Sequence, residues 1–193
     1  MAIEFELKYR ATPAQQSAIL AVVEGPEQQF QMQTTYYDTP DGALSRQHIT
    51  LRRRMENDCS VCTMKTPIED GGRGEFELNC PDIETAIPEL CKLSDRGDLL
   101  PLLQGGVIAV CGARFTRIAR TIATDGCTLE LAVDQGILTG GGKEIPLCEV
   151  EVELKEGSRE SACMYAAALA AIHGLQPENR SKFRRALALY KGE

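Results

Sequence analysis

Residues 149–155 read Glu-Val-Glu-Val-Glu-Leu-Lys and residues 3–8 read Ile-Glu-Phe-Glu-Leu-Lys, so charge and hydrocarbon alternate strictly in both. A period of two puts successive side chains on opposite faces of a β-strand, whereas a helix would scatter them around its axis. Glu4, Glu6 and Lys8 therefore share one face, opposite Ile3, Phe5 and Leu7. Glu149, Glu151, Glu153 and Lys155 likewise oppose Cys148, Val150, Val152 and Leu154. Arg52 with Arg54, Thr63 with Lys65, Glu75 with Glu77, and Glu130 with Asp134 repeat the pattern. The chain must build a sheet with one charged side.

Turn chemistry divides the rest. Extended segments are expected at 30–39, 49–56, 60–66, 73–80, 107–111, 114–123, 128–138 and 144–155. Pro40-Asp41-Gly42, Glu56-Asn57-Asp58, Asp70-Gly71-Gly72, Gly126 and Gly140-Gly141-Gly142 supply bends between them. Thr12-Pro13 opens a short helix ending at Gly25-Pro26. Residues 82–103 read as helix broken by Pro88 and Pro101. Ser158 caps an alanine-rich helix to His173-Gly174, and Ser181 opens a last helix through Tyr190. The expectation is an α+β fold in one domain over residues 1–193, an eight-stranded antiparallel β-barrel forming a polar tunnel with peripheral helices. Parity says that the charges share a side but not which side; an inward-facing set makes the tunnel polar and leaves the apolar faces under the helices.

Same-sign neighbours on one strand repel. That arrangement makes sense when the acids share a divalent cation and the bases share a polyanion. Arg53 is off the parity of its neighbours and reads as a surface residue. Arg184 and Arg185 read as a solvated helix face, and Lys155, at a strand end, as exposed. The eight cysteines include one Cys-x-x-Cys pair, Cys59 and Cys62, but no second pair or nearby histidine completes a zinc set. With no basic-then-apolar leader, they point to reduced thiols and a cytoplasmic location. No apolar run reaches membrane-spanning length, and a formal net charge of -7 argues against a nucleic-acid partner.

Glu-Phe-Glu-Leu-Lys at the start, Tyr36-Tyr37-Asp38-Thr39-Pro40-Asp41-Gly42, Leu51-Arg52-Arg53-Arg54, Met64-Lys65-Thr66, Gly74-Glu75-Phe76-Glu77, Phe115-Thr116-Arg117, Asp134-Gln135-Gly136, the 149–155 strand and Ser181-Lys182 occur in order along nearly the whole chain. Together they resemble the CYTH superfamily, the triphosphate tunnel metalloenzymes. The resemblance implies an enzyme in which Lys8, Arg52, Arg54, Lys65, Arg117 and Lys182 clamp a triphosphate. It implies that Glu4, Glu6, Glu149, Glu151 and Glu153 hold Mg²⁺ or Mn²⁺, and that Glu75, Glu77, Glu130 and Asp134 are further tunnel acids. Glu4, Glu6, Lys8, Lys65 and Glu153 would carry catalysis. The motifs look most like the bacterial inorganic triphosphatase branch, which implies hydrolysis of tripolyphosphate to pyrophosphate and phosphate. Alternatives are a thiamine or nucleoside triphosphatase, an adenylate cyclase of the class IV type, and a non-catalytic polyphosphate-binding module. A cyclase needs an adenine pocket, which the lack of tryptophan and 5% aromatic content disfavour; a pure anion binder would be weakened by so many acids.

Overall fold

The computed structural model describes residues 2–3, 5–67 and 73–193; Glu4 and the expected Asp70-Gly71-Gly72 turn lie outside them. The strands are β1 (Ala2–Ile3), β2 (Glu6–Arg10), β3 (Glu27–Asp38), β4 (Thr50–Glu56), β5 (Cys59–Pro67), β6 (Arg73–Asn79), β7 (Ile108–Thr124), β8 (Cys127–Gly140), β9 (Lys143–Gly157) and β10 (Gln176–Pro177). The helices are α1 (Pro13–Val22), α2 (Ala43–Arg46), α3 (Ile83–Leu93), α4 (Leu100–Leu103), α5 (Arg159–His173) and α6 (Lys182–Lys191). The eight strands β2 to β9 are the expected ones, with 107–111 and 114–123 fused into one long β7. Two short segments, β1 and β10, are added to them.

All ladders are antiparallel, in the order β1-β6-β5-β4-β3-β7-β8-β9-β2-β10. The two ends of this order meet on one stretch of chain. Ala2–Ile3 pairs with β6, and Glu6–Arg10, a few residues on, pairs with β9. The N-terminal segment thus bridges the sheet's edges in place of a ladder between two long strands.

Two of three apolar clusters lie where alternation puts them, on the face opposite the charges. Leu51, Cys62 and Met64 pack under α3 with Ile83, Ile87 and Leu90. Leu129, Leu131, Val133, Val150 and Val152 pack under α1 and α5 with Ile19, Ala162, Ala166 and Leu169. Each fully buried aliphatic side chain there contributes roughly 1.5–3 kcal/mol. Pro88 does not break α3; its amphipathic face, buried through Ile83, Ala86, Ile87, Leu90 and Cys91, compensates for the missing N–H.

The third cluster departs from expectation because it shares the charged face. Met32, Tyr36, Ala113, Phe115, Leu138 and Leu147 pack against Phe183, Ala186, Leu187 and Leu189 of α6. The Tyr36 and Phe183 ring centroids stand 5.0 Å apart. This last helix is inside the curl of the sheet rather than peripheral. Gly140 permits the approach, since a Cβ there would stand 2.4 Å from the Ala186 carbonyl oxygen. All eight cysteines are free, with Cys59 exposed and Cys62 buried on opposite faces as alternation requires. No helix among the described residues is long and apolar enough to cross a membrane.

Candidate active site

The curled sheet encloses a cavity of about 1760 Å³. Lys8, Arg52, Arg54, Lys65, Arg117 and Lys182, the expected clamps, all line it. So do Glu6, Glu75, Glu77, Glu130, Glu151 and Glu153. Parity and register explain the convergence. Glu6 stands opposite Glu153, itself opposite Glu130, and Lys8 stands opposite Glu151. Arg52 faces Thr63, which faces Glu77, and Thr50 faces Lys65, which faces Glu75.

On the β4–β6 wall, Arg52 Nη2 lies 3.0 Å from Glu75 Oε1 and 3.3 Å from Glu77 Oε1, and Lys65 Nζ lies 3.0 Å from Glu75 Oε2. The buried Thr63 hydroxyl donates to Glu77 at 2.7 Å. Burial alone would raise Glu77, but this hydrogen bond and the charges of Arg52 and Arg54 bring it below the usual carboxylate value. Arg54 pairs with Glu56, and its Nε is buried without a partner. Burial first, then the neighbouring cations Arg52 and Arg117, push the Arg54 guanidinium below its ordinary value.

The opposite wall holds a denser network. Arg117 grips Asp134 through both oxygens, at 2.7 and 2.8 Å, and also pairs with Glu151. Lys182, set in the first turn of α6 by the Ser181 cap, places Nζ 2.8 Å from Asp134, 2.5 Å from Glu149 and 2.7 Å from Glu151. Arg185, one turn on, pairs with Glu149. Burial would lower Lys182, but the three carboxylates hold it well above its usual value. Glu151, which burial would raise, is held well below its usual value by Lys182 and Arg117. Glu149 goes the other way: burial raises it despite Lys182 and Arg185.

Asp134, Glu149 and Glu151 bring one oxygen each within 4.8 Å of one another, close enough to hold a metal ion. Their centre, however, already accommodates the Lys182 ammonium, and neither Asp134 nor Glu149 lines the cavity. Glu6, Glu130 and Glu153 are more open, with side chains 27%, 27% and 23% exposed, and each pairs with a lysine. Lys8 Nζ lies 2.7 Å from Glu6, and Lys155 Nζ lies 2.8 Å from Glu153 and 3.6 Å from Glu130. An all-oxygen carboxylate set facing a cavity suits a hard divalent cation.

Two residues correct the sequence reading. Arg185 is buried and ion-paired rather than on a solvated face, because i to i+3 spacing puts it beside Lys182, whereas Arg184 is exposed. Lys155 is exposed as expected, and it also lines the cavity and pairs with two acids. Glu56, not anticipated, continues the Arg52–Arg54 parity and lines the cavity as well. Arg53 keeps off the cavity as expected and donates to Ser60 at 2.9 Å. Gly136 of the Asp134-Gln135-Gly136 motif lies opposite Phe115, where a Cβ would come within 2.1 Å of the Arg114 carbonyl oxygen. Asp38 holds the turn after β3 by accepting from the Thr39, Leu44 and Ser45 amides.

The antiparallel sheet thus curls around one cavity lined by interleaved acids and bases. Residues 2–187 match the CYTH domain family, and the chain belongs to it. An inorganic triphosphatase of Haemophilus influenzae is 28% identical over 96% of this chain, and the match covers 54% of that protein's length, so the chain spans about half of it. The fold is shared with a protein of Pyrococcus horikoshii OT3 at a TM-score of 0.62 and 20% identity, covering 98% of this chain and 99% of that one. HpAC1 of Hippeastrum, described as a candidate adenylyl cyclase with a dominant triphosphatase activity, superposes equally well at 0.62 and 17% identity, covering 98% of this chain and 96% of that one.

Proposed function

We propose that this chain hydrolyses the terminal phosphoanhydride bond of triphosphates, converting inorganic tripolyphosphate to pyrophosphate and phosphate with the aid of Mg²⁺ or Mn²⁺. The observation that carries the reading is Arg54, a partly buried guanidinium whose Nε is shielded from solvent, crowded by Arg52 and Arg117 on a cavity wall. Such repulsion is relieved when a polyanion enters between the cations. Lys8, Arg52, Arg54, Lys65, Arg117 and Lys182 would bind and orient the phosphates, arginine forks matching phosphoryl oxygens. Phosphoryl transfer asks for little more than positioning and charge neutralisation, which this lining supplies.

Glu6, Glu151 and Glu153 would hold the metal from the β2–β9 side, and Glu4, outside the described residues, would join them. Glu149, below the cavity surface, would support Lys182. A bound divalent cation supplies polarisation of the phosphoryl oxygens and orientation of the attacking water. Glu75 and Glu77 fix Arg52 and Lys65 on the facing wall. The relation to the Haemophilus inorganic triphosphatase supports the same chemistry.

One observation favours a second reading, a nucleoside triphosphate as substrate. Phe30, Met32, Tyr36, Val110, Phe115 and Phe183 give the cavity an apolar wall that the low aromatic content did not foretell. A phosphate-release panel over tripolyphosphate, ATP and thiamine triphosphate, with each metal and with EDTA, tests both. Release from tripolyphosphate with Mg²⁺ or Mn²⁺ is expected. No release from any of the three overturns the hydrolase reading, and cyclic AMP from ATP would replace it with a cyclase.

A further inference from the structure

The β8–β9 ladder slips by one residue near its end. Leu129 pairs with Leu154 but Thr128 pairs with Glu156, leaving Lys155 opposite no residue. A bulge of this kind leaves the extra residue unpaired and bends the strand. Lys155, which alternation already puts on the face of Glu153, reaches both Glu153 and Glu130 at the cavity wall, at 2.8 and 3.6 Å. Without it these two acids, directly opposite in the register, would repel across the ladder.

Lys155 differs from Lys182 in what surrounds it. The Lys182 side chain is 11% exposed and held by three acids, themselves shared with Arg117 and Arg185. The Lys155 side chain is 40% exposed and held by two acids that are themselves partly exposed. Its two acids belong to the row that includes Glu6 and faces the cavity.

We propose that Lys155 is a built-in competitor for the divalent cation, a tethered ammonium that neutralises Glu130 and Glu153 in the metal-free protein and swings out when the metal binds. The proposal rests on the metal-dependent reading above. The bulged lysine then sets metal affinity, keeping the acid pair compatible with the fold when metal is scarce and holding the metal less tightly than the carboxylates alone would.

The test is Mn²⁺ binding without substrate, by calorimetry and by loss of the free Mn²⁺ resonance signal, in wild type, Lys155→Met and Lys155→Gln. Lys143→Met, the same charge change at the far end of β9, is the control. Removing the competitor should tighten Mn²⁺ binding about two- to fivefold, the range a half-exposed lysine–carboxylate pair supports, with Lys143→Met unchanged. In EDTA both Lys155 variants should melt below wild type, and saturating Mn²⁺ should close that gap. Wild-type binding with unchanged or weaker affinity in both Lys155 variants, or a melting gap that persists with Mn²⁺, overturns the competitor role alone. No Mn²⁺ binding to wild type overturns the metal reading and this proposal together.

Discussion

Arg185→Met removes one of the two cations on Glu149, a carboxylate with no exposed surface. Breaking a buried ion pair from one side costs about 3–5 kcal/mol, because the remaining charge is left desolvated. Lys182 still lies 2.5 Å from Glu149, so the lower end applies, about 3 kcal/mol. In a chain of this size that corresponds to a fall in Tm of roughly 6–12 °C. The pH dependence separates lost charge from lost packing. Glu149 is already raised above its usual 4.5 by burial, and losing Arg185 raises it further. A carboxylate raised in the folded state binds protons more tightly there than in the unfolded chain, so stability falls as pH climbs from 4.5 towards the folded value. Below that window Glu149 is protonated in both states and the ion pair is gone from wild type too. The melting gap between wild type and variant, read by circular dichroism, should therefore be small near pH 4 and widen to its full extent by pH 8. A gap that is the same at both ends would mean that Arg185 contributes only its packed stem, and the charge argument would fail.

Tripolyphosphate in EDTA should raise Tm more than chloride of equal ionic strength does. At a hundredfold excess over Kd the gain is about 2.7 kcal/mol, roughly 5–10 °C, and Arg52→Ala with Arg54→Ala should abolish most of it; survival of the shift would remove these arginines from the anion site. Glu6→Gln and Glu153→Gln should each cut phosphate release at least about 100-fold with an unchanged far-ultraviolet spectrum, and wild-type rates would exclude them. Glu178, pushed down to about 2 mainly by its hydrogen bond with Arg180, contributes stability that is present above 4.5 and lost as pH falls through 2. Glu178→Gln should accordingly melt lower than wild type at pH 7 and close the gap toward pH 2; an equal melting temperature at pH 7 would count against that ion pair.

Strand parity grouped most of the cavity wall, because a β-pleat assigns side chains to faces by counting alone. That count put Lys8, Arg52, Arg54 and Lys65 on the charged faces of their strands, whereas Arg117, and the inward turn of those faces, came from the family resemblance. The count put Lys155 on the acid face too, but not its ion pairs with Glu130 and Glu153, nor the one-residue slip between β8 and β9 beside it, which leaves no mark in the alternation. The site of α6 was illegible for a different reason. A helix with an apolar stripe and Lys182 and Arg185 beside it suits the outside of a sheet as well as the inside, and the choice was made by apolar residues at inward positions, Phe115, Leu138 and Leu147 among them. Glu149 shows the limit of parity within the site itself. It shares the face of Glu151 and Glu153, but α6 covers it, so its chemistry is that of a buried counter-ion.

The bridging of both sheet edges by the first ten residues has a kinetic consequence. Glu6 to Arg10 pair with Glu149 to Glu153, partners about 140 residues downstream, and such distant contacts are the slow ones to form. On the ribosome the first strand made must wait for the last long one. Until β9 emerges, the β8 edge of the growing sheet stands open and can recruit a neighbouring chain. A nascent chain is therefore most exposed to misassembly until β9 has been made, and truncation within β9 should yield aggregate rather than a smaller folded unit.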